Sequence, residues 1–148
     1  MTTYRHTQPA PLLLALLLGL AALQTVLAFL LTRVLFFSVP FLLLAALAFH
    51  SLTIEITDYE LRWHFGIGII HKRVALADLA SAKVVRTNFL EGWGIHWSRF
   101  GWLYNVSGYD AVAVTLRSGK RFALGTDEPQ VLAAQLNQAM QKSGGGSP

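Results

Sequence analysis

The sequence predicts an α+β membrane protein in which an N-terminal two-helix transmembrane hairpin precedes an antiparallel β-barrel or curved sheet capped by a C-terminal α-helix. Three observations carry that reading: segregation of charge along the chain, strict two-residue alternation after residue 50, and an amphipathic helical pattern near the end. Of 148 residues, 53% are hydrophobic and 14% charged, with a mean hydropathy of +0.45, too apolar for an average soluble domain of this length. Residues 1–50 hold only Arg5 and Arg33 of the 12 basic side chains and none of the 8 acidic ones. With no cysteine, a disulfide scaffold, a thiolate nucleophile and a cysteine-ligated metal are excluded. The pI of 9.8 comes from a net charge of only +4, a mild preference for anionic surfaces and not the pattern of a nucleic-acid binder.

Residues 1–10 read as a tail. From Leu12 to Phe49 the only charge is Arg33, and one helix of that length would run to ~57 Å, nearly twice the hydrocarbon thickness. A break at Thr32-Arg33 leaves two arms, Pro11 to Leu31 and Val34 to Leu52, within a hairpin over 11–52. The second arm is marginal in length, and Pro40 is expected to kink its first half. Competing readings are a cleaved signal peptide, for which Ala46-Leu47-Ala48 has the small-x-small pattern, and one span followed by an interfacial segment. A hairpin places both termini on one side, and the basic excess of the following domain favours the cytoplasmic face of a bacterial inner membrane.

The domain spans 53–142. Leu52, Ile54 and Ile56 alternate with Thr53, Glu55 and Thr57; Leu61, Trp63 and Phe65 alternate with Glu60, Arg62 and His64; Ile70, Val74 and Leu76 alternate with His71 and Arg73. A turn at Asp58-Tyr59 sets Glu55 opposite Arg62, Thr53 opposite His64 and Ile54 opposite Trp63. The Gly66-Ile67-Gly68-Ile69 turn sets Phe65 opposite Ile70, His64 opposite His71 and Arg62 opposite Arg73. Lys72 falls on the apolar face, where it must snorkel past an edge or meet a partner. Ala77 to Ala80 forms a short connection to a strand over Ala82 to Arg86. Thr87 to Gly108, rich in aromatic residues and glycine, has no regular pattern. Ala111 to Leu116 returns to strand, and a three-residue loop at Arg117-Ser118-Gly119 pairs Val114 with Phe122 and Val112 with Leu124. Thr126 or Asp127 caps a helix carrying Leu132, Leu136 and Met140 on its core face, before a flexible tail over 143–148.

The two hydrophobic arms, Leu52-Thr53-Ile54-Glu55-Ile56, Leu61-Arg62-Trp63, Val74 to Ser81, Gly101 to Gly108 and the closing Phe122 to Pro129 together resemble the bacterial pleckstrin-homology-like membrane proteins. The likeness covers about residues 50 to 140 in short patches. It implies a seven-stranded, helix-capped fold and no particular reaction. Eukaryotic pleckstrin-homology domains often bind phosphoinositides through basic residues around their first strands; the first hairpin turn here, Asp58-Tyr59, is short and acidic.

Two surfaces are candidates for function. Arg62, His64, His71 and Arg73 form a stripe suited to a phosphate or an anionic lipid headgroup, unless Glu55 and Glu60 neutralise it as an ordinary solvated face. Phe89, Trp93, Trp97, Arg99, Phe100, Trp102 and Tyr104 make an aromatic segment that either meets the membrane interface or a protein partner, or packs inward to close the barrel. The glycine pairs lack the context of a nucleotide loop, the histidines lack a third metal ligand with suitable spacing, and the sparse acids form no evident pair. The expectation is a non-enzymatic module, without cofactor or metal, that recruits a membrane-associated protein partner, with anionic lipid binding as the alternative and a membrane enzyme as a distant third. Should the domain face a eukaryotic lumen, Asn105-Val106-Ser107 would be a glycosylation sequon.

Overall fold

The computed structural model describes residues 1–88 and 91–144. Along the chain run β1 (Thr2–Pro9), α1 (Pro11–Leu30), a 3-10 segment (Arg33–Ser38), α2 (Val39–Phe49), β2 (Ser51–Thr57), β3 (Glu60–Phe65), β4 (Ile70–Ala75), a 3-10 turn (Leu76–Asp78), β5 (Leu79–Arg86), β6 (Gly94–Ser98), β7 (Gly101–Asn105), β8 (Asp110–Leu116), β9 (Arg121–Gly125) and α3 (Pro129–Gly144). The strands form two sheets, β1-β2-β3-β4 and β5-β8-β9-β7-β6, so the class is mixed α+β.

α1 carries no charged residue and opens with Pro11, whose missing N–H costs nothing in a first turn. Its 20 residues extend ~30 Å, the thickness of a bilayer core. Leu16, Leu23, Phe29 and Leu30 are exposed, while Ala21 and Ala28 are buried. By length and composition it is the one helix among the described residues able to cross a membrane unaided; the apolar segment Arg33–Phe49 is shorter than the second full arm expected. Pro40 stands in the first turn of α2, where the backbone changes from 3-10 to α geometry. The two segments lie side by side: the Ala10 N–H donates to the His50 carbonyl at 2.8 Å, Ser38 Oγ donates to Gln24 Oε1, and Phe29 meets Phe36 edge-on at 5.0 Å.

The expected meander is present in register. Glu55 faces Arg62, Thr53 faces His64 and Ile54 faces Trp63; Arg62 faces Arg73, His64 faces His71 and Phe65 faces Ile70. Short turns and an unbroken alternation left no other pairing that keeps one face apolar. Lys72, opposite Trp63, is exposed because β4 is the outer strand of its sheet. Val114–Phe122 and Val112–Leu124 also pair as expected.

Three expectations are corrected. Residues 2–9, read as a tail, form β1 along the whole of β2, with Thr7 opposite Thr53 and Arg5 opposite Glu55. The inward side chains of β1 are Tyr4, His6 and Gln8, too polar to read as a core face, and each finds a place against the second half of the chain. The Thr87 to Gly108 segment, read as irregular, contains the β6–β7 hairpin, and β7 runs parallel to β9. With these additions there are nine strands, not seven, and no closed barrel among the described residues: the 3-10 turn at Leu76–Asp78 separates β4 from β5.

The core fills the space between the sheets. Trp63 stacks on Phe122 at 4.9 Å and meets Tyr104 edge-on at 5.2 Å, joining β3 to β9 and β7. Phe65 meets Phe49, the last residue of α2, at 5.3 Å. Leu132 and Leu136 bury one face of α3 in the same cluster, and Met140 is partly buried against it. The left-handed Gly66 is held where the first sheet meets α2. Its N–H donates to the Ser51 carbonyl at 2.9 Å, and a Cβ there would strike the Leu47 and Ala48 carbonyl oxygens.

Candidate functional site

The polar face of the first sheet is arranged in cross-strand rows. One row is Arg5, Glu55, Arg62 and Arg73; the next is Thr7, Thr53, His64 and His71. Neutralisation is partial. Glu55 pairs with Arg5 at 3.1 Å, and Glu60 pairs with Arg62 along its own strand. Among the described residues, neither Lys72 nor Arg73 has an acidic side chain within ion-pair distance. A shallow groove lined by Arg62, His64, His71, Lys72 and Arg73, with Glu55 at one side, therefore keeps two free cations. His71 Nδ1 donates to the Gly68 carbonyl at 3.2 Å, while His64 Nδ1 is buried without a partner. The four residues of the predicted stripe are thus brought together, and Lys72 joins them because edge β4 lets its chain turn outward.

The aromatic segment divides. Phe89 lies outside the described residues. Trp97 and Trp102 face each other across the β6–β7 hairpin, edge-on at 5.9 Å, and are 71% and 48% exposed. Tyr104 is core, and burial raises its hydroxyl pKa above the ordinary tyrosine value. Trp93 is half-buried, with its indole N–H toward the Gly108 carbonyl at 3.4 Å. Arg99 lies over the Phe100 ring at 4.7 Å and donates to the Arg86 carbonyl at 2.6 Å, which ties the hairpin tip to β5. Of the six described residues read as one surface, the two tryptophans form an exposed pair. Alternation alone could not separate them from Tyr104, because Trp102 and Tyr104 share a face and differ only in how far along the strand they lie.

A polar cluster escaped the sequence reading. His6 Nε2 lies 2.6 Å from Asp127 Oδ1, and Nδ1 lies 3.4 Å from Glu128 Oε2, so β1 is tied to the residues that open α3. Tyr4, beside them, has its hydroxyl pKa pushed up to about 12, first by burial and then by the Glu128 and Asp127 carboxylates. The acidic pair was visible as a helix start; its partner was not, because β1 was unrecognised. Asn105 is fully buried, its amide donating to the Gly108 carbonyl at 3.1 Å, so the sequon is inaccessible in the folded chain. Among the described residues no three His, Asp or Glu side chains are grouped to hold a metal ion. No protein-family model, curated protein or solved structure matches the chain, and the functional reading rests on the residues themselves.

Proposed function

We propose that the chain is a non-enzymatic, membrane-anchored binding module of pleckstrin-homology-like organisation that recruits a protein partner at the cytoplasmic face of a bacterial inner membrane. The observation that carries this reading is the exposed Trp97–Trp102 pair on β6 and β7. Tryptophan is the side chain most enriched among energetically dominant interface residues, and two together outside a core favour a binding surface. β6 is the end strand of its sheet and leaves backbone donors and acceptors available beside the pair.

The anchor is supported by α1 and by the length of the returning segment. Six residues at ~2.0 Å per residue and eleven at ~1.5 Å give roughly 28 Å if collinear, close to a bilayer core. A stretched 3-10 turn thus compensates for the few residues available, and a transmembrane hairpin is the arrangement this favours. A photo-crosslinking residue at position 97 in native membranes is expected to give a discrete adduct that disappears with Trp102→Ser, whereas the same residue at Val84 on β5 gives none. Identical labelling from both positions would refute the assigned surface.

A further inference from the structure

We infer that the β3–β4 hairpin docks into the membrane surface, its Ile67–Ile69 tip among acyl chains and the groove behind it holding the phosphate of an anionic lipid headgroup. This rests on the proposed membrane reading of α1 and α2 and adds to it a second contact. The tip is unusual for a water-facing turn: Ile67 and Ile69 are 62% and 60% exposed. It stands against α2 rather than away from it. Ile69 and Ile70 line one apolar groove with Phe41, Leu44, Ala45 and Ala48, so the groove beside the tip follows about two turns of the helix, ~11 Å at ~1.5 Å per residue. If α2 is surrounded by acyl chains, so is Ile69, and the exposed Ile67 stands in the same turn two residues before it.

The strand register then fixes what lies behind the tip. Gly66 abuts the Leu47 and Ala48 carbonyls near the end of α2. At ~3.3 Å per residue, the His64–His71 pair lies at most about 7 Å from that level and the Arg62–Arg73 pair at most about 13 Å. The polar layer of one leaflet is roughly 5–8 Å thick. The imidazoles therefore fall among the headgroups, and the Arg62–Arg73 level stands above them, from where the long Lys72 and Arg73 side chains reach back to the phosphates. Apolar tip, then hydrogen-bonding histidines with cations above them, follow the same order as acyl chain and glycerol–phosphate. With Glu55 and Glu60 already paired to Arg5 and Arg62, Lys72 and Arg73 remain to balance a net negative charge. A zwitterionic headgroup brings its own cation and satisfies them less well.

The chain has no cysteine, so single spin labels can be placed without removing any. In the full-length protein reconstituted in phosphatidylcholine vesicles with and without phosphatidylglycerol, labels at Leu18→Cys and Ile67→Cys are tested for collision with oxygen and with a water-soluble nickel complex. Both labels are expected to favour oxygen. A water-exposed label at 18 overturns the membrane reading and this inference with it; a lipid-exposed label at 18 with a water-exposed label at 67 overturns this inference alone. Spin-labelled phosphatidylglycerol should then be motionally restricted in preference to spin-labelled phosphatidylcholine, and Lys72→Gln with Arg73→Gln should reduce that preference about fivefold per cation removed. Equal restriction of both lipids in the unaltered protein, or a preference that the double variant retains, overturns the headgroup site.

Discussion

Trp63 joins the two sheets, and its replacement tests the core directly. It is 3% exposed, stacked on Phe122 and edge-on to Tyr104, yet its indole N–H is buried without a partner. Trp63→Ala loses both ring contacts, each worth ~0.5–1.5 kcal/mol, and leaves a cavity, for a total of ~3–5 kcal/mol. Trp63→Phe keeps a ring for Phe122, removes a donor that has no hydrogen bond to lose, and should cost only ~1–2 kcal/mol. Urea titration of the full chain in mild detergent, followed by backbone circular dichroism of the sheets, reads the difference. With a slope of ~2 kcal/mol per molar, the midpoint should fall by about 2 M for alanine and by less than about 1 M for phenylalanine. Equal losses for the two variants would show that the retained phenylalanine ring contributes nothing against Phe122 and Tyr104. A loss under ~1 kcal/mol for alanine would show that Trp63 does not bridge the sheets.

Other consequences follow from single positions. Gly66→Ala places a left-handed Cβ against two helix carbonyls and should cost more than Gly68→Ala, which is also left-handed but meets only His64 Nδ1 at 4.0 Å; the Gly66 amide exchange rate should rise most in the first variant. Asn105→Ala removes the bonds to Gly108 and Ser107 in a fully buried turn and should cost ~1–3 kcal/mol in the same urea titration. Tyr4 deprotonates less readily in the folded chain than in the unfolded one. Stability from this group is therefore complete below about pH 10 and is lost as pH rises toward about 12; Tyr4→Phe should weaken that alkaline loss, and a decline unchanged by the variant would exclude Tyr4 as its source.

The meander of β2, β3 and β4 was legible to the level of individual pairs, because Ile54, Trp63 and Phe65 lie inward on strands joined by short turns. So was the gathering of Arg62, His64, His71 and Arg73, which register alone determines. β1 was not legible, since Tyr4, His6 and Gln8 face inward only by virtue of Asp127, Glu128 and the Ser107 carbonyl, all about a hundred or more residues away. The β6–β7 hairpin was hidden for a related reason. Its turn needs the left-handed Gly101, whose missing Cβ also admits the Arg121 carbonyl of β9, and no local pattern announces a parallel neighbour. The joining of the first sheet to α2 was equally invisible: Gly66 reads as a turn residue, and only packing shows that it is also where the strand backbone meets the helix.

The central claim, a folded binding module held to one face of a membrane by its N-terminal helices, is tested most directly by thiol labelling of single-cysteine variants with a membrane-impermeant maleimide in sealed inverted inner-membrane vesicles. Leu18→Cys in α1 should label only after detergent is added. Tyr109→Cys, exposed before β8, should label at once, and Thr32→Cys between the two apolar segments should stay protected until the vesicles are opened. Immediate labelling at position 18, or positions 32 and 109 accessible from the same side, would contradict the account.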